Sequence, residues 1–216
     1  SLYNESVDDE GNKKPIQPTP VIGMVGILDN VNKAVSSEWK NINDEIWIIG
    51  SRESPLTLGA SSYLEYFHGQ VTGRPPSLNL IDEKLCQLFI RNGILNNLII
   101  SSHDISDGGL AVALSEACIL SKKGASINLT SDERIDNVLF SEGGSRIIFS
   151  IPHVKKNEWL KFLSEESKNF TDSIFITKIG KVSQDVLKIQ ISDNILCDLK
   201  ISTLADKFNN GISNNF

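Results

Sequence analysis

Leu98-Ile99-Ile100-Ser101-Ser102-His103-Asp104-Ile105-Ser106-Asp107-Gly108-Gly109-Leu110 runs directly into Ala111-Val112-Ala113-Leu114-Ser115-Glu116-Ala117-Cys118. Leu98, Ile99 and Ile100 read as a short buried strand, and the paired glycines permit a turn that bulkier residues obstruct. From Leu110, the residues Leu110, Leu114, Ala117 and Cys118 fall at i, i+4, i+7 and i+8, one face of a helix. Ser106 or Asp107 stands where a helix cap is expected, and the bare backbone of Gly108 and Gly109 lets a ligand come close. Two readings of this strand, turn and helix start stay open. One is an anion or nucleotide site touching Ser106, Gly108 and Gly109. The other is a capped turn beside a buried histidine, His103, held by a backbone partner, since no neighbour offers a nucleophile for it to activate.

Working outward, Glu45 to Ile49, Ser126 to Leu129 and Arg146 to Ile151 read as further strands. Ser61 to Phe67, Leu80 to Arg91 and His153 to Glu165 read as helices. In the second of these Ile81, Leu85, Leu88 and Phe89 share a face; in the third Trp159, Leu160 and Leu163 point inward. The end of the chain changes character. Ile174 to Val182, Val186 to Ile191 and Ile195 to Ile201 are three strands expected to form an antiparallel meander, with a frayed polar tail after Phe208. Helices between early strands plus terminal strands predict an α+β fold with a mixed sheet and packed helices. Upstream, Asp8 to Lys14 and Pro15, Pro18 and Pro20 form a solvated, extended segment. It leads to Val21 to Leu28, an apolar stretch interrupted by Gly23 and Gly26 and expected to be a strand covered on both faces.

The chain has 216 residues and a formal net charge of -6, with no basic stripe interleaved with aromatics, so nucleic acid is excluded as the main partner. No apolar run is long enough to span a membrane, and no secretory signal pattern opens the chain. Cys86, Cys118 and Cys197 each sit inside an apolar pattern, which predicts reduced buried thiols, no metal site and a cytoplasmic location. Glu142 and Arg146 read as a neighbouring ion pair or as strand-end packing.

Several segments in order resemble one family: Ser1-Leu2-Tyr3-Asn4-Glu5, Pro18-Thr19-Pro20-Val21-Ile22-Gly23-Met24-Val25-Gly26, Leu58-Gly59-Ala60-Ser61-Ser62-Tyr63-Leu64, the turn from His103 to Leu110, and Leu139-Phe140-Ser141-Glu142-Gly143-Gly144-Ser145-Arg146. Together they are similar to the C-terminal part of the phosphoribosylformylglycinamidine synthase family, synthetase subunit, within the aminoimidazole ribonucleotide synthetase superfamily. The resemblance implies that residues 1–35 are the last loop and strand of an N-terminal-type synthetase domain, and that residues 36–216 are the second C-terminal domain. It implies an ATP- and Mg²⁺-dependent amidoligase acting on a formylglycinamide ribonucleotide. Its partners would be the remaining synthetase domains, a glutaminase subunit and a small bridging subunit. Ser1 would contact the ribonucleotide, while the catalytic histidine and acidic metal ligands of the family find no match here. A segment like Ser141 to Arg146 helps bind substrate in the family's first C-terminal domain; here it falls in a duplicate that holds a structural nucleotide in some relatives. Alternatives are a non-catalytic scaffold domain of the same enzyme and a superfamily member such as a thiamine-phosphate or selenophosphate kinase.

Overall fold

Three isoleucines, with Trp47 between the first two, and a glycine make an inner strand of the protein's sheet possible. The computed structural model describes residues 4–16, 19–192 and 194–211, which fall into two compact units, Ser1–Ala34 and Val35–Phe216. In the larger unit the strand Glu45–Ser51 is buried at every position. Ile46 and Ile48 face one side and Trp47 and Ile49 the other, so helices must cover both faces.

In the smaller unit, β1 (Glu5–Val7) and β2 (Lys13–Pro15) form an antiparallel hairpin. Asp8 closes it by accepting the amides of Asn12 and Glu10 at 2.8 and 3.1 Å. The stretch from Val21 to Leu28 corrects the sequence expectation. It is no strand, and Val21, Met24, Val25 and Ile27 are each more than 90% exposed. Apolar character alone does not make a strand; a neighbouring backbone must take its hydrogen bonds, and among the described residues none lies alongside.

In the larger unit β3 (Glu45–Ser51) is followed by α1 (Ser62–His68) and α2 (Leu80–Leu95). Then come β4 (Ser101–Asp104), α3 (Gly109–Ser121), β5 (Gly124–Leu129), α4 (Ile135–Phe140) and β6 (Arg146–Ile151). The chain ends with α5 (Lys156–Glu166), β7 (Ile174–Ser183), β8 (Val186–Ile191), β9 (Asn194–Lys200) and α6 (Ile201–Asn210). The seven strands form one mixed sheet in the order β4-β6-β3-β7-β5-β8-β9, in line with the α+β expectation. Residues of α3, α4 and α6 pack on one face, around Leu114, Ala117, Leu139 and Ile201. Residues of α2 and α5 pack on the other, where Trp159 and Phe89 meet Trp47 and Phe149 edge-on.

Five local features differ from the sequence reading. The strand expected at Leu98 to Ile100 begins at Ser101, because the amides of Leu98 and Ile99 still bond back to Gly93 O at the end of α2. The face of α2 is rotated: Asp82, Cys86, Phe89, Ile90 and Gly93 are buried, while Ile81 and Leu88 are exposed. The terminal strands are not a simple meander, since β5 lies between β7 and β8, antiparallel to the first and parallel to the second. Finally, Ile201 starts a helix rather than ending a strand. Its amide turns back to Asp185 O, and α6 continues to Asn210. On α5 the buried pair is Trp159 and Phe162, with Leu160 exposed.

Candidate functional site

The turn after β4 is built by backbone conformation more than by side-chain caps. Gly108 and Gly109 both adopt left-handed φ values, 75° and 71°, and the Gly109 amide donates to Ser106 O at 3.0 Å. A β-carbon on Gly109 would lie 2.7 Å from the Phe140 backbone at the end of α4, so the second glycine lets α4 pack against the turn. The expectation that Ser106 or Asp107 caps α3 is corrected. Gly108 is the N-cap residue and no side chain bonds the first turn. The Gly108 amide instead donates to Glu142 Oε1 at 2.7 Å, and the same oxygen accepts the Ser62 amide at the start of α1 at 2.9 Å. An internal carboxylate thus occupies a position at the start of α3 where the helix dipole and free amides favour negative charge.

Glu142 is therefore not an ion-pair partner of Arg146; of the two alternatives for this pair the ion pair is corrected, and Arg146 packs, buried, at the start of β6. Arg146 Nη2 donates to Ser141 O and, at 3.1 Å, to Ser141 Oγ. Burial pushes its guanidinium down to about 10, still charged at neutral pH. The register explains its position. Gly50 on β3 pairs with Arg146 on β6 and with Phe175 on β7. A β-carbon on Gly50 would come within 2.9 Å of both side chains, so this glycine lets them converge over β3.

Two clefts open near this end of the sheet, and their charges differ. The one beside the turn, about 530 Å³, is lined by Ser106, by four carboxylates, Glu83, Asp104, Asp107 and Glu142, and by Arg146, which borders both clefts. The other, about 520 Å³, is lined by Arg52, Arg146 and Lys178 against one carboxylate, Glu133, with apolar walls from Leu110 and Phe175. Coulomb attraction favours an anion in the second and disfavours one in the first.

His103 does not rest on a backbone partner. Its Nε2 lies 3.0 Å from Glu116 Oε2 and its Nδ1 3.4 Å from Asp104 Oδ1, which holds the ring between β4 and α3. Asp82 is a buried polar residue that sequence periodicity missed: it accepts hydrogen bonds from the hydroxyls of Ser51, Thr171 and Ser173. The cysteines are free, with Cys86 and Cys118 buried and Cys197 partly so. Among the described residues no group of three or more His, Cys, Asp or Glu side chains could hold a metal ion, and no helix is long and apolar enough to cross a membrane. Ser1 lies outside the described residues.

Known proteins share both this sequence and this geometry. The family described as AIR synthase related protein, C-terminal domain, matches residues 41–189, from β3 into β8, leaving β9 and α6 outside the match. The chain belongs to this family. Curated relatives of the chain are much longer proteins. The chain is 60% identical over 217 positions to phosphoribosylformylglycinamidine synthase subunit PurL of Prochlorococcus marinus strain MIT 9301, covering 100% of this chain and 28% of that protein. It is 42% identical over 221 positions to the same-named subunit of strain MIT 9313, covering 98% and 28%. The chain thus spans under a third of the length of these relatives. Its fold is similar to that of T. maritima PurL complexed with FGAR, with a TM-score of 0.66 at 18% identity, over 81% of this chain and 30% of that one. T. maritima PurL complexed with ATP gives 0.61 at 18% identity, over 81% and 28%.

Proposed function

We propose that this chain is the C-terminal part of a phosphoribosylformylglycinamidine synthase synthetase subunit, which converts formylglycinamide ribonucleotide to its amidine in purine biosynthesis. The observation that carries the reading is the 60% identity to subunit PurL along the whole of this chain. In that enzyme residues 1–35 complete an N-terminal-type synthetase domain and residues 36–216 form its second C-terminal domain. The amide oxygen of the substrate is a poor leaving group until phosphorylated, which is the part ATP plays in this reaction class. Among the described residues no group of three or more His, Cys, Asp or Glu side chains is assembled for a metal ion, and the four carboxylates of the cleft beside Ser106 disfavour a nucleotide's phosphates there. Ser1 is the one residue of the chain assigned to the ribonucleotide. The larger unit serves as a scaffold that supports the remaining synthetase domains and, in the cytoplasm, an assembly with a glutaminase and a small bridging subunit. A structure of PurLQS from Thermotoga maritima is among those that share the fold.

The scaffold role is favoured by one observation: the amides that would greet a ligand at Gly108 and Ser62 are already bonded to Glu142. The test uses the longer polypeptide. Supplied with formylglycinamide ribonucleotide, ATP, Mg²⁺ and ammonia, it should release phosphate and form the amidine, while the 216-residue chain alone should not. Ser1→Ala in the longer protein should lower kcat/KM for the ribonucleotide severalfold to about a hundredfold, the loss of one hydroxyl contact. Phosphorylation of thiamine phosphate or selenide instead of amidine formation would refute the assignment.

A further inference from the structure

Arg146 is 5% exposed, and among the described residues no carboxylate pairs with it. Its hydrogen bonds leave from Nη2 alone and both end on Ser141. Nε and Nη1 carry none, yet they are not sealed in. Among the described residues the fully enclosed side-chain polar atom without a partner is Trp159 Nε1. Two guanidinium donors are therefore not fully enclosed; Arg146 borders both clefts, and strand alternation favours one of them. Arg146 and Ile148 share a face of β6, the face on which Ile48 and Ile179 pack. Ile48 and Ile179 line the basic cleft of about 520 Å³ and not the acidic one.

The rest of that cleft suits a small organic anion. Arg52 stands over the Phe175 ring, 5.5 Å from its centroid. Leu110 and Val138 supply apolar wall, and Thr130 and Ser131 supply hydroxyls. Lys178 is already engaged by Glu45 at 2.6 Å, and the opposing carboxylate, Glu133, is exposed. Arg146 and Arg52 thus remain as cations without a carboxylate. A buried charge without a counter-charge destabilises a fold, and proteins retain one where a ligand supplies the missing partner.

We propose that this cleft binds the oxyanion of a small organic molecule, a carboxylate or a phosphate monoester, through Nε and Nη1 of Arg146. The apolar body of the ligand lies against Phe175 and Leu110, and Arg52 closes the mouth. The site is independent of the amidoligase reading above.

The test is calorimetric titration of the full chain with phenyl phosphate, benzoate and inorganic phosphate, alongside thermal melting. One of the two aromatic anions should bind saturably and raise the melting temperature, and which one does so separates the phosphate from the carboxylate source. Arg146→Met should abolish binding while melting at or above the wild-type temperature, because it removes an unpaired buried charge. Arg52→Ala should weaken binding severalfold with unchanged melting. Arg146→Lys, which keeps the charge but not the fork, should lose about tenfold in affinity and serves if Arg146→Met does not fold. Binding of neither aromatic anion at millimolar concentration, or affinity unchanged in Arg146→Lys, overturns the proposal. So does inorganic phosphate binding as tightly as phenyl phosphate, which would show that the apolar walls contribute nothing.

Discussion

Removing the Glu142 carboxylate should loosen two helices at once. Its Oε1 accepts the Gly108 amide at 2.7 Å ahead of α3 and the Ser62 amide at 2.9 Å at the start of α1. The Gly108 bond is partly buried and the Ser62 bond exposed, so they are unequal. A hydrogen bond to a charged acceptor contributes about 1.5–3 kcal/mol when sheltered and less when water competes. With about 2 kcal/mol for the first and about 1 kcal/mol for the second, Glu142→Ala should cost about 3 kcal/mol. Glu142→Gln keeps an acceptor but loses the charge and the attraction to the amide ends of the helices, so it should cost about 1 kcal/mol. For a body of this size about 3 kcal/mol corresponds to a fall in Tm of about 6–12 °C. Urea unfolding followed by tryptophan fluorescence reads this directly, since Trp39, Trp47 and Trp159 are all buried. A Glu142→Ala protein within about 0.5 kcal/mol of wild type would refute the reasoning, because the carboxylate would then be replaceable by water.

Burial pushes the thiols of Cys86 and Cys118 from an ordinary 9.0 up to about 12, so the native protein should resist alkylation at pH 8 that the urea-unfolded chain undergoes. Because the folded values are raised, the stability they contribute is complete below the unfolded value of 9.0 and is lost as pH rises towards about 12. Urea midpoints between these limits should fall less steeply in a Cys86→Ala, Cys118→Ala protein. Asp82→Ala strands the buried hydroxyl of Ser51, while Thr171 and Ser173 keep their hydrogen bond to each other, and should cost about 2 kcal/mol by the same unfolding assay; a loss under about 0.5 kcal/mol would mean water satisfies it. Lysines placed at Val21, Met24 and Ile27 should leave the melting temperature unchanged, since all three side chains are exposed; a clear fall would show that the segment packs against something.

What the sequence reveals is what is decided locally. The glycine pair and the Leu110, Leu114, Ala117, Cys118 spacing mark the turn and α3 because both are set within a few residues. The partner of the turn is not visible there, since Glu142 lies 34 residues beyond Gly108. Asp82 misleads for a related reason. Periodicity counts it as an outward residue, yet three hydroxyls from β3 and from the approach to β7 make its burial tolerable and rotate the face of α2. The Val21 to Leu28 stretch shows the converse, apolar sequence without a partner strand. The resemblance carries the family, which the match over residues 41–189 bears out. Arg146 could not be read as an unpaired cation from sequence, because Glu142 four residues earlier looks like its counter-ion.

The strand order also governs how this chain can acquire its structure. The inner strand at residues 45–51 finds its neighbours only at residues 146–151 and 174–183. The strand at residues 124–129 waits for two flanking partners that both come later in the chain. Closing loops of that length before any pairing compensates for them slows the search, and it leaves apolar strands unpaired while the chain lengthens. On the ribosome, the larger unit cannot complete its sheet until residue 200, the end of the last strand, has emerged. A chain cut short after α5 would keep Ile46, Ile48 and Ile127 but lack the strands that cover their edges. Such a product should aggregate or be degraded rather than persist as a partly folded domain.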